Sequence, residues 1–153
     1  MGRTSQYLLI LVTLLGVVSL VIGTAFIVQG VATRGMIAEG LRAEKVTLGI
    51  EEASANPGNP GNVVDTAQEA QVAQDILEEH LRDDYGTYGD TERGSDERAT
   101  YLDGTILRNS LNLAIMGFGV TTIATVSGVF MIIVGIVLGG IGLVIYRLSR
   151  RAS

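Results

Sequence analysis

The sequence predicts a mostly α protein: a transmembrane helical hairpin whose long helices extend outward and carry a small, helical, acidic extracytoplasmic module. Three observations predict it. Two apolar blocks, residues 7–32 and 111–146, contain no charged residue. All 16 acidic residues lie between Glu39 and Asp103, inside a stretch, 33–110, that also holds seven of the 11 Lys and Arg and so carries a net charge of −9. Glycines recur at seven-residue spacing in both blocks. Only 18% of the 153 residues are charged, against about 25% in ordinary soluble domains. The segregation of those charges excludes a purely soluble single domain.

Residues 1–6 form a short inner tail, and residues 7–32 the first transmembrane helix. Crossing the hydrocarbon takes about 20 residues at a rise of 1.5 Å, so the block suffices. A cleaved signal peptide is the competing reading, since Arg3 precedes the apolar run and Gly30-Val31-Ala32 offers small residues. Signal cores run to about 7–15 residues, which favours an uncleaved anchor. Gln6 stands where a myristoylation signal needs Ser or Thr.

The stretch 33–110 is expected outside the membrane. Met36, Ile37, Leu41 and Arg42 continue the first helix at helical spacing. Val46, Leu48 and Ile50 then alternate as in a half-buried strand. The doubled turn signal Asn56-Pro57-Gly58-Asn59-Pro60-Gly61 marks a surface loop within residues 53–62. A second helix opens at Asp65, with Gln68 three residues on in a capping-box-like arrangement. Its apolar stripe is Val72, Ala73, Ile76, Leu77, His80 and Leu81, placed to cover part of the last long helix. Residues 83–94 form a turn-rich link. A helix starts at Ser95 and leads into the second apolar block, with Gly104 its expected interruption.

The second block has 36 residues and would measure about 54 Å as one helix, against about 30 Å of hydrocarbon. No Pro, Asn or Asp lies between Thr121 and Val129 to turn a hairpin, so one long helix over 111–146 is expected. Its part at about 125–146 crosses the membrane. Residues 111–124, with Met116 and Phe118, stand outside and require a cover. Residues 147–153 form an inner basic tail, in which Arg147, Arg150 and Arg151 set the topology by the positive-inside rule. Both termini are therefore expected inside and residues 33–110 outside, with Tyr7 and Tyr146 at the inner interface.

The glycine rows are Gly16, Gly23 and Gly30 in the first block, and Gly128, Gly135 and Gly142, with Gly139, in the second. Seven residues are about two helical turns, so each row lines one face, and small faces let membrane helices approach closely. An antiparallel register of Gly16 with Gly142, Gly23 with Gly135 and Gly30 with Gly128 is expected, between helices of one chain or of separate copies.

Chemistry is scarce. No cysteine is present, which excludes disulfides, thiolate metal sites and thiol nucleophiles. Neither block holds Asp, Glu, Lys, Arg or His, which argues against a proton relay or intramembrane ion site. Net acidity disfavours nucleic acid as a partner. The single histidine, His80, beside an apolar stripe near a helix C-terminus, is expected to bond locally and complement the helix dipole. Asp83, Asp84, Asp90, Glu92, Asp96 and Glu97 lack the spacing of a calcium loop and read as solvated charge. Gly86, Gly89 and Gly94 lack the Gly-Lys-Ser/Thr of a phosphate loop. No catalytic residue, cofactor or metal ligand is expected.

Several pieces, in order, carry a resemblance: Leu41-Arg42-Ala43-Glu44-Lys45-Val46-Thr47, Ile76-Leu77-Glu78-Glu79-His80, Gly86-Thr87-Tyr88, Asp96-Glu97-Arg98, Leu107-Arg108-Asn109-Ser110-Leu111 and Phe118-Gly119-Val120. With these the chain resembles small two-span membrane proteins of actinobacteria and their relatives. The likeness covers about two-thirds of the chain. Glu97 stands where the group usually has proline, Ile106 where it has an aromatic, and the Asn-Pro-Gly loop is long. The resemblance implies an anchor helix, a short outer region with an amphipathic helix, and a terminal membrane helix, with no assigned activity. An aromatic ring-opening dioxygenase label attaches to some members. Such iron sites take histidine and carboxylate ligands together, which one histidine does not supply.

The expected partners are the lipid bilayer and other membrane subunits, or further copies of the chain. The leading function is that of a non-enzymatic accessory or scaffold subunit. The alternative is a homo-oligomeric pore, with Thr121, Thr122 and Thr125 lining the passage.

Overall fold

The computed structural model describes residues 3–47 and 63–151. Among them are three helices and no strand: α1 over Arg3–Ala43, α2 over Ala67–Tyr85 and α3 over Asp96–Arg151. The expected strand at Val46, Leu48 and Ile50 is replaced, at its described end, by one antiparallel bridge between Thr47 and Val63. Leu48, Ile50 and the Asn-Pro-Gly loop lie outside the described residues. Both α1 and α3 are long and apolar enough to cross a membrane.

α1 ends after Ala43 by tightening its last turn, with the Lys45 amide donating to the Arg42 carbonyl at 3.0 Å. Lys45 takes a left-handed conformation, φ +52°, which turns the chain out of the helix. α2 opens one residue later than the sequence predicts. Thr66 is the N-cap: its hydroxyl accepts from the Glu69 amide at 3.2 Å, and Glu69 Oε2 accepts from the Thr66 amide at 3.1 Å. Asp65 is not the cap because Arg42 holds its carboxylate, through Nε at 2.9 Å and the terminal guanidinium nitrogen at 2.5 Å. The reciprocal box is therefore Thr66 with Glu69, in place of Asp65 with Gln68. At the other end Gly86, φ +69°, donates its amide to the Arg82 carbonyl.

α3 is continuous for 56 residues, beginning ahead of the predicted 111–146 helix and passing through Gly104 without interruption. Ser95 caps it, its hydroxyl accepting from the Arg98 amide at 3.2 Å. Gly104 serves a close approach: a Cβ there would meet Leu81 Cδ2 at 2.8 Å.

The chain divides into two compact units. The first comprises residues 1–32 and 121–153 and is an antiparallel pair of helical segments from α1 and α3. The second, residues 33–120, holds the end of α1, all of α2 and the start of α3. Its core is Val64, Ala70, Ala73 and Leu111, with Leu41, Val46 and Ile115 packed against it. The stripe of α2 departs from the predicted one: Ala70, Ala73 and Leu81 are buried, whereas Val72 is exposed.

Candidate helix-packing site

In the first unit the seam is built by glycines, and at Gly23, Gly30, Gly128 and Gly135 a Cβ would stand closer than 3.0 Å to the facing helix. A Cβ on Gly23 would stand 2.7 Å from the Gly128 carbonyl oxygen, and one on Gly128 would stand 2.6 Å from the Gly23 carbonyl oxygen. A Cβ on Gly16 would stand 3.2 Å from the Gly135 carbonyl oxygen and 3.3 Å from the Gly139 amide nitrogen. A Cβ on Gly135 would meet Leu20 Cγ at 2.7 Å and the Gly16 carbonyl at 2.9 Å. Gly30 faces Thr125 and the Thr121 carbonyl, Gly142 faces Thr13, and a Cβ on Gly139 would meet nothing within 4 Å.

The two rows meet within one chain, but their register is one heptad away from the predicted one. Gly16 lies opposite Gly135, Gly23 opposite Gly128, and Gly30 opposite Thr121 and Thr125. Equal seven-residue repeats match at every shift of seven, so spacing alone cannot choose between registers. The narrow row of α3 continues past Gly128 as Thr125 and Thr121, and that of α1 continues as Thr13. Of these threonines, none of them in the predicted seam, Thr125 turns its hydroxyl back on its own helix. Thr125 donates to the Thr121 carbonyl at 2.8 Å, as Thr24 does to the Leu20 carbonyl at 2.8 Å.

The same geometry bears on the threonine face supposed to line a passage. Thr121 is buried and Thr125 half-buried against Gly30. Both belong to the interhelical seam, and only Thr122 of the three is exposed.

The arginines of the basic tail lie on the final turns of α3. Arg150 sits over the Tyr146 ring at 5.6 Å, and Arg147 precedes it on the same helix. The side chain of Arg151 lies outside the described residues.

In the second unit, polar groups are spent on structure. Glu78 joins α2 to α3: its Oε1 accepts from Arg82 at 2.7 Å, and its Oε2 forms an ion pair with the Arg108 guanidinium at 3.1 Å. Arg98 stacks on Tyr88 at 4.2 Å and donates to the Tyr88 carbonyl at 3.1 Å. Asp90 Oδ2 accepts from both the hydroxyl and the amide of Thr87, each at 2.7 Å. These bonds, the hydroxyl's first, hold the Asp90 carboxyl below its ordinary 3.8. Asp90 thus anchors a turn in the link between α2 and α3. His80 is exposed at the rim of a cavity of about 130 Å³ lined mainly by apolar groups of Ala73, Ile76, Leu77, Leu107 and Leu111. The local hydrogen bond expected of it does not form among the described residues.

The apolar section of α3 that requires cover is covered on one side. Phe118 is buried, with the Arg34 guanidinium 5.7 Å above its ring, and Leu111 is in the core. Met116 is exposed. Between residues 36–47 and 103–114 runs an open, largely apolar groove of about 890 Å³, with Glu44, Lys45 and Asp103 among its lining. Comparisons with protein-family models, with curated proteins and with solved structures find no match.

Proposed function

We propose that this chain is a non-enzymatic integral membrane protein, an accessory or scaffold subunit that packs against a larger membrane complex or against further copies of itself. One observation carries the reading. Even with α2 docked, the second unit leaves Leu113, Met116 and Val120 of α3 exposed, on the same helix as the charged Asp103 and Arg108 and within about five turns of both. Apolar side chains beside charges at that density belong to a surface that water reaches unless protein covers it.

Placement in a bacterial cytoplasmic membrane, with both termini inside and residues 33–110 outside, is part of the proposal. Arg147 and Arg150 at the end of α3 support that orientation by the positive-inside rule. The long uncharged faces of the first unit suit lipid. Kinship with the two-span membrane proteins the chain resembles is proposed on the ordered motifs alone. Neither a cofactor nor nucleic acid forms part of the reading.

The test is purification of the full chain from membranes in mild detergent, with and without prior cross-linking. Recovery in an oligomer or with a second membrane protein is expected. A clean monomer under both conditions sinks the reading.

A further inference from the structure

We infer that the occupant of the exposed α3 face is a second copy of this chain, joined to the first through a parallel two-stranded coiled coil. The inference rests on the reading of the chain as an assembly subunit and names its partner.

Within the second unit, α3 carries two rows of residues. One, through Gly104, Leu107, Leu111, Ala114 and Phe118, is turned toward the chain's own α1 and α2: Leu81 packs on Gly104, Leu111 joins the core, and Phe118 lies beneath Arg34. The other is Leu102, Ile106, Asn109, Leu113, Met116 and Val120, at alternating steps of four and three residues. Its apolar members are 41%, 63%, 69%, 61% and 66% exposed, in that order. Asp103, Arg108 and Asn112 lie between the rows, so the outer one is a narrow stripe on a polar background. A strict four-three repeat confined to a stripe is the pattern of a coiled-coil seam, narrower than the face a helix turns toward a globular core.

Two features select a second copy over a foreign helix. Copies of one membrane protein insert in the same direction, so their α3 helices meet in parallel and equal residues meet at equal depth. The stripe then faces itself in register, as an isologous two-fold interface requires. Asn109 is its one polar member and is exposed. A carboxamide both donates and accepts, so two copies of Asn109 satisfy each other across the axis, whereas an apolar foreign helix leaves the amide unpaired. The spacing puts Ile106, Leu113 and Val120 at a positions and Leu102, Asn109 and Met116 at d positions, so two of the three a positions are β-branched, as two-stranded coils prefer.

The chain has no cysteine, so single-cysteine variants of the full-length protein report cleanly in native membranes. Leu102→Cys, Leu113→Cys and Met116→Cys are expected to shift on oxidation to twice the monomer mass. Thr100→Cys, exposed and two residues from Leu102 but off the stripe, is expected to stay monomeric. Equal cross-linking at Thr100, or none at the three stripe positions, overturns the inference. Mild-detergent purification of the native chain then separates the two failures. Co-purification of a different membrane protein leaves the assembly reading standing without the second copy, and a bare monomer removes both.

Discussion

Gly23 and Gly128 meet backbone to backbone: a Cβ on either would stand within 2.7 Å of the other's carbonyl oxygen. Neither obstacle is the end of a flexible side chain, so the helices themselves must move apart to admit one. Gly23→Leu and Gly128→Leu are each expected to destabilise the first unit by about 1–3 kcal/mol, the usual range for overpacking. Because the two share one contact, the double variant should fall short of the sum. Gly139→Ala, where a Cβ meets nothing within 4 Å, should be neutral. Denaturant titration in detergent, followed by helical ellipticity, separates these outcomes.

Thr66 and Glu69 close the start of α2 reciprocally. Thr66→Ala should destabilise the second unit by about 1 kcal/mol, the typical loss for a removed N-cap. Asp65→Asn, which leaves the box intact, should act through Arg42 alone and weigh less, since Arg42 is largely exposed in that pair. Hydrogen exchange at the first turn of α2 is the direct readout, with faster exchange expected only in the Thr66 variant.

Asp90 ties pH to the link between α2 and α3. Its folded pKa is lowered by Thr87, so its contribution is fully present above the unfolded carboxylate range and is lost as pH falls through the lowered value. Thr87→Val removes the hydroxyl and keeps the amide, so the Asp90 titration midpoint should rise part of the way toward 3.8. A midpoint followed by carboxyl-carbon NMR that does not move in Thr87→Val contradicts the assignment of the hydroxyl as the main cause.

Lys45 holds a left-handed conformation at the end of α1, which a residue with a Cβ adopts at a cost of about 1–2 kcal/mol. Lys45→Gly relieves that strain against a larger entropy loss on folding, and a net gain of up to about 1 kcal/mol is expected. Thermal unfolding of the detergent-solubilised chain measures it, and Lys45→Ala, with the Cβ retained, should show no gain.

The proposed orientation has its own test. A cysteine introduced at Asp83, exposed on α2, should react with a membrane-impermeant maleimide in intact cells. One at Ser149 should react only after the membrane is opened. The reverse pattern inverts the topology.

Helix content was legible in the sequence because it follows from local pattern. Uncharged apolar blocks, the absence of Pro, Asn and Asp between Thr121 and Val129, and the shift to mixed polar periodicity at α2 are properties of neighbouring residues. The cap of α2 was missed because Asp65 and Thr66 are both good cap residues. The choice between them is made by Arg42, 23 positions away in sequence. Gly104 looked like an interruption by propensity, and α3 runs through it because Leu81 needs the space its missing side chain leaves.

By itself the sequence determined where charge and apolar surface lie along this chain, and hence two membrane-length helices flanking an acidic middle. It also determined that Gly16, Gly23 and Gly30 share one face and Gly128, Gly135 and Gly142 another, since 3.6-residue geometry acts within a helix. Only the tertiary structure decided which glycine meets which, because repeats of equal period leave registers seven residues apart indistinguishable until side chains such as Thr125 and Leu20 fill the gaps between them. It likewise decided which stripe of α3 packs within the chain and which, through Leu113 and Met116, stays exposed.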